Sequence, residues 1–164
     1  MAYSIISITQ KYAQQILTWM YDPPYDLYDL IIEDLPGLLN PAYRYHVVLN
    51  EEGELVGYCC FGEDARVPGG DYEQGEPGVL DLGVGLRPDL TGQGYGKGFV
   101  GAILEYGARI YNPEVFRVTV AAFNQRSLRS FRSLGFKDKG SFTRTLVEVD
   151  FIQLEKPIQV ETNR

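Results

Sequence analysis

Between Val79 and Gly98 the chain runs apolar, halts at a proline and then places a glycine at every second position: Gly92, Gly94, Gly96 and Gly98. The apolar part sets Leu80, Leu82, Val84 and Leu86 on one face and Asp81, Gly83 and Gly85 on the other, which predicts a strand. Pro88 cannot extend that strand's ladder. Beyond the glycines, Phe99, Val100, Ile103, Leu104 and Ile110 recur at helical spacing. A strand, a turn and a helix start leave several backbone N–H groups open at a helix N-terminus, where the macrodipole favours negative charge. Glycines remove the Cβ atoms that would hold a ligand off the main chain. The unit reads as a seat for a diphosphate.

Two other phosphate motifs fail on their details. Gly96-Lys97-Gly98-Phe99-Val100-Gly101 has the letters of the dinucleotide fingerprint, yet it begins inside the predicted helix and follows the wrong strand order. A P-loop requires Ser or Thr after its lysine, whereas Lys97 precedes Gly98. A turn with no ligand would carry the chain-entropy cost of four glycines for no evident reason.

The rest of the chain supplies a sheet for this unit. Residues 3–8 predict a first strand, and Thr9 can cap a helix that runs through Ile16, Leu17 and Met20 to Pro23-Pro24. A segment rich in Tyr and Asp follows, and Leu27 to Leu35 predicts a short second helix. Tyr45 to Leu49 and Leu55 to Phe61 flank a polar turn and predict a hairpin. Residues 62–78 read as loop, with the acidic stretch Asp71 to Glu76 either a lid or a tether. Phe116 to Ala122 predicts a strand, Gln125 to Leu134 a helix closed by Gly135, and Thr143 to Gln153 a last strand. The expected fold is α/β: a mixed sheet flanked by helices, with the strand–helix–strand unit around the glycines locally parallel and right-handed. Residues 1–157 form a single domain and 158–164 a tail.

A net charge of −7, from 15 basic and 22 acidic residues, disfavours a nucleic-acid partner. No apolar run is long enough for a membrane span, and no signal-peptide pattern opens the chain, so a cytoplasmic protein is expected. Cys59 and Cys60 are adjacent and face opposite ways on a strand, which suits two reduced core thiols and no metal site. His46, the one histidine, sits on a predicted strand and reads as structural.

Two motifs at matched spacing carry a family resemblance. Thr91-Gly92-Gln93-Gly94-Tyr95-Gly96 follows one strand, and Asn124-Gln125-Arg126-Ser127 with Phe131-Arg132-Ser133-Leu134-Gly135-Phe136 follows the next. Together they resemble the GNAT superfamily of N-acetyltransferases, whose patterns are Gln/Arg-x-x-Gly-x-Gly/Ala and Asn-x-x-Ala-x-x-x-Tyr-x-x-x-Gly-Phe. The resemblance covers residues 79–136 closely. It implies a mostly antiparallel central sheet with a splayed strand pair, acetyl-CoA as acyl donor and a small-molecule or peptide amine as acceptor; relatives often dimerise. It also implies that Val84 to Leu86 pair with the pantetheine arm, that Thr91, Gly92, Gln93, Gly94, Tyr95, Gly96 and Lys97 surround the diphosphate, and that Asn124 bonds the pantetheine. Two departures stand out. Thr91 occupies the place of a long Gln or Arg. Phe131 occupies the place of a tyrosine that protonates the departing thiolate in many relatives.

An alkylammonium, with a pKa near ~10.4, must lose a proton before it can attack a thioester. Asp81 is the candidate base, with a loop-ordering role as the alternative. The Leu86 N–H is the candidate donor to the developing oxyanion. Trp19, Tyr25 and Tyr28, interleaved with aspartates, could wall a cationic amine, or else pack the first helix onto the sheet. Without a tyrosine at 131, a catalytically weak acyl-CoA-binding module is the competing reading.

Overall fold

Seven strands form one sheet: β1 (Ser4–Ser7), β2 (Tyr45–Leu49), β3 (Leu55–Phe61), β4 (Val79–Leu86), β5 (Val115–Ala121), β6 (Lys137–Arg144) and β7 (Val149–Pro157). Their spatial order is β1-β2-β3-β4-β5-β7-β6. Helices α1 (Gln10–Ile16), α2 (Leu35–Leu39), α3 (Gly96–Tyr111) and α4 (Gln125–Ser133) pack on it. These are the elements of a computed structural model, which describes residues 2–72, 78–144 and 146–158. Most of the acidic stretch before Gly78, and the tail from residue 159 onward, lie outside the described residues.

Every neighbouring pair of strands is antiparallel except β4 and β5, which run parallel through the α3 crossover. That exception is the unit the sequence marked. α3 buries Phe99, Val100, Ile103 and Leu104, which join Phe61, Leu82, Phe116 and Val118 in the main core. α4 adds Leu128 and Phe131, and its start is capped by the Asn124 side chain accepting from the Ser127 N–H at 3.2 Å. Gly107 lets α3 approach closely, since a Cβ there would lie 2.6 Å from the Phe61 ring. On the other face, Ile16, Val47 and Leu55 form a second cluster under α1.

Three expectations need correction. α1 stops at Ile16 rather than running to the prolines. The helix expected from Leu27 to Leu35 is replaced by two 3-10 turns, Tyr25–Tyr28 and Ile32–Asp34, with α2 starting only at Leu35. There Asp34 accepts from the Ile31 N–H at 2.7 Å and Pro36 sits in the first turn, a position proline favours. The single last strand is in fact two, β6 and β7. β6 is a polar edge strand, exposed along most of its length, so no apolar alternation announced it.

The sheet splits at β4. Val79 to Leu82 pair with Val115 to Val118 of β5, while Leu82 to Leu86 pair with Gly57 to Phe61 of β3. Among the described residues, nothing on the β5 side pairs with β4 beyond Leu82, and Thr119 to Ala121 of β5 pair only with β7. The two parallel strands therefore diverge like an opened hinge, as the resemblance implied.

Candidate active site

The opened hinge holds a cavity of about 780 Å³. Which main-chain groups face it follows from strand alternation. Gly62 N–H donates to the Asp81 carbonyl at 2.9 Å and Arg87 N–H donates to the Val56 carbonyl at 2.8 Å. The odd-numbered residues of β4 thus spend their polar groups on β3. Those of Val84 and Leu86 point into the hinge. One of them is already engaged, because the Tyr21 hydroxyl donates to the Leu86 carbonyl at 2.7 Å.

The glycine turn closes one end of the cavity. Thr91, Gly92, Gly94, Gly96 and Lys97 line it, whereas Gln93 and Tyr95 do not. Gln93 instead bonds its own turn, donating to the Asp89 carbonyl. The Thr91 hydroxyl likewise turns inward, to the Pro88 carbonyl at 2.7 Å. Gly92 has φ +71° and Gly94 φ +87°, a backbone that side-chain-bearing residues rarely adopt. A Cβ on Gly92 would lie 2.8 Å from Nη1 of Arg126. Arg126 also stacks its guanidinium 4.0 Å from the Tyr25 ring centre. Arg126 and Arg129, one helical turn apart on α4, line the cavity together with Lys97. The sequence reading missed these two arginines, although their i, i+3 spacing straight after Asn124 puts both on one helix face. A bare turn beside Arg126, in a cavity that Lys97 and Arg129 also line, has the chemistry to hold a diphosphate.

Asn124 and Phe131 both line the cavity. The Asn124 amide nitrogen donates to the Tyr28 hydroxyl at 3.3 Å, which anchors the Tyr25–Tyr28 turn to the start of α4. Both tyrosines of that turn also rest on the Phe123 ring, at centroid distances of 5.7 and 6.3 Å. Phe131 is 2% exposed and meets Phe136 edge-to-face, so its ring belongs to the core as much as to the cavity.

Two expected site residues lie elsewhere. Trp19 packs behind the cavity, against the Tyr58 ring and the cluster under α1. Asp81 is 3% exposed and does not line the cavity. Arg117 grips both of its oxygens, Nε to Oδ1 at 2.7 Å and Nη2 to Oδ2 at 2.9 Å, and Arg66 Nε adds a third bond at 2.9 Å. Three of the roughly four acceptor sites of this carboxylate are taken by guanidiniums, and the residue is not part of the cavity wall where an acceptor amine would lie. Among the described residues, the carboxylates that do reach the cavity are Asp29 and Asp64. Asp29 accepts from the Tyr21 N–H at 2.9 Å, and Asp64 accepts from the Tyr45 hydroxyl.

Gly83 and Gly85 leave room for the tyrosine wall opposite. A Cβ on Gly85 would sit 2.3 Å from the Tyr58 ring, and one on Gly83 2.9 Å from the Cys60 sulfur. Cys60 is a buried core residue, 4% exposed, that also lines the cavity. Burial pushes its thiol up to about 12. Among the described residues no cluster of His, Cys, Asp or Glu could hold a metal ion, and no helix is long and apolar enough to cross a membrane.

A hinge between parallel strands, opening beside a glycine turn and a helix N-terminus, defines the acyl-CoA N-acyltransferase class of fold. The model of the acetyltransferase (GNAT) family matches residues 7–136, and the chain belongs to that family. Solved structures agree on the fold. The aminoglycoside acetyltransferase AAC(6')-Ib, in complex with coenzyme A, superposes with a TM-score of 0.74 at 18% identity, covering 95% of both chains. A GNAT-family acetyltransferase from Bacillus anthracis gives 0.72 at 18% identity, covering 96% of this chain and 95% of the other. A mutant of the spermidine N-acetyltransferase SpeG from Vibrio cholerae gives 0.69 at 13% identity, covering 94% and 93%. No curated protein matches the sequence.

Proposed function

We propose that the protein moves an acetyl group from acetyl-CoA to a primary amine by direct attack, with both substrates in the hinge at once. The observation that carries this reading is the unpaired edge of β4 at Val84 and Leu86, open beside the glycine turn. An extended pantetheine arm can add to that edge as a strand would. The N–H groups of Gly92 to Lys97, with Lys97, Arg126 and Arg129, suit the phosphates. Arg126 takes over the reach that Thr91 lacks. Acetyl-CoA supplies an activated thioester, and the Leu86 N–H is placed to polarise its carbonyl.

Asp29 and Asp64 are the groups to hold the incoming ammonium and let water carry off its proton. We assign Asp81 no proton transfer; it pins Arg117 and Arg66. Cys60 stays a protonated thiol at neutral pH, which supports direct transfer over an acetyl-cysteine route. Phe131 has no proton for the leaving thiolate. A thiol with a pKa near ~8.5 leaves without much help. Tyr28 keeps a proton to offer from the Asn124 end, since burial raises its phenol above its usual value of 10.0.

Thiol release from acetyl-CoA, followed against a panel of primary amines, tests the reading. Amine-dependent release is expected. Coenzyme binding with no release for any amine would instead establish the binding-module reading that Phe131 suggests.

A further inference from the structure

Two guanidiniums on the cavity wall are left over once the coenzyme phosphates are served. Lys97, Arg126 and Arg129 belong to α3 and α4, beside the glycine turn. Arg144 and Arg66 also line the cavity but come from elsewhere, the end of β6 and the strap after β3. Packing brings those two elements together. A Cβ on Gly69 of the strap would lie 3.4 Å from the Thr143 carbonyl and 3.9 Å from Cα of Arg144. The Tyr72 ring bridges the same region, with the Arg66 guanidinium 5.5 Å from its centre and Phe142 edge-on at 6.5 Å. Phe142 in turn stacks on Phe151 at 5.7 Å, and Phe151 floors the cavity.

Arg144 is the telling member. Its Nε is closed off from solvent and has no hydrogen-bond partner among the described residues. Buried polar groups in native proteins are nearly always paired, and a charged donor is the costliest to leave unpaired. Arg66 spends Nε on Asp81, is 37% exposed along its side chain and lines the cavity. A guanidinium with a buried, unpartnered Nε beside an aromatic floor suits a planar anion. Asp29 and Asp64 offer negative charge to the same cavity.

We infer that the acceptor is a zwitterion: an amine that also bears a carboxylate, as an amino acid or short peptide does, with the carboxylate on Arg144 and Arg66. This rests on the acetyl-transfer reading above and narrows it. The amine goes to the tyrosine-lined aspartates and the carboxylate to the arginines, so one molecule is oriented by two opposite charges. Simple polyamines lack the second group.

Matched pairs test this: tyrosine against tyramine, ornithine against putrescine, arginine against agmatine, with phosphoethanolamine as a separate arm. The expected result is a preference of about tenfold or more in kcat/KM for the carboxylate member of at least one pair, expressed mainly in KM. Arg144→Gln should bring that member down to its decarboxylated partner, while the Kd for acetyl-CoA, read by calorimetry, stays at the native value. Equal or better use of the decarboxylated member in every pair overturns the inference, as does a preference for phosphoethanolamine. An Arg144→Gln protein that loses acetyl-CoA affinity also overturns it, by giving Arg144 to the coenzyme. If no amine is turned over, acetyl transfer itself fails. Calorimetry of N-acetyl amino acids against N-acetyl amines on the CoA complex still reads the arginine site, and no preference there ends the proposal.

Discussion

The hydroxyl of Tyr21 donates to the carbonyl oxygen of Leu86 across 2.7 Å, tying the segment between α1 and α2 to the open end of β4. The same residue's N–H is held by Asp29 at 2.9 Å. One tyrosine thus couples a cavity carboxylate to the unpaired edge of β4. Burial raises its phenol well above the usual range, so the proton stays in the bond to Leu86. Tyr21→Phe removes one hydrogen bond, worth about 1 kcal/mol of stability. The larger expected effect is a raised KM for both substrates, measured by thiol release.

Asp81→Asn separates the structural account of that residue from a catalytic one. Asn cannot balance two guanidiniums, and breaking a buried ion pair costs about 3–5 kcal/mol. Thermal unfolding should show that loss. If Asp81 only pins Arg117 and Arg66, the rate per folded molecule, measured at low temperature, should fall by much less than the ~10²-fold expected for a missing base.

The sequence made the middle of the chain legible because there the chemistry is local. A strand, a bare turn and an amphipathic helix are each written in consecutive residues from Val79 to Ile110. Asn124 and Gly135 bracket α4 for the same reason. The two roles left open for Asp81 were not separable in the sequence because its partners are distant: Arg117 lies one strand over and Arg66 on the preceding strap, and no periodicity links them. The two readings of Trp19 stayed open for a similar reason, since an aromatic among aspartates looks the same whether it faces a cavity or packs on Tyr58. β6 escaped notice because an exposed edge strand needs no apolar face.

Gly85→Ala tests the close approach of β4 to the tyrosine wall. The added Cβ would stand 2.3 Å from the Tyr58 ring. Overpacking of this kind costs about 1–3 kcal/mol. Tyr58 packs on Trp19 and Tyr45 and lines the cavity, so a shift of its ring should lower amine-dependent turnover more than coenzyme affinity. Paired denaturation and kinetic measurements check both parts.

Cys60 gives the protein an alkaline limit. Its thiol rises from an ordinary 9.0 to about 12 on folding. Between those values the unfolded chain has released the proton and the native state has not, so stability falls as pH rises through that window. Cys59, also buried, shifts in the same direction. Melting temperatures from pH 8 to about 11 should therefore decline, and a Cys60→Ser variant should decline less steeply. Alkylation of the native protein at pH 8 should be slow at both cysteines.

Calorimetric titration of acetyl-CoA into the native protein and into Gly92→Val tests the central claim most directly. The variant forces a side chain onto a residue at φ +71° and into Arg126, 2.8 Å away. The account predicts one coenzyme per native chain with micromolar affinity, and at least about a tenfold loss in the variant. No heat from the native protein at millimolar coenzyme, or equal binding by the two proteins, would contradict it.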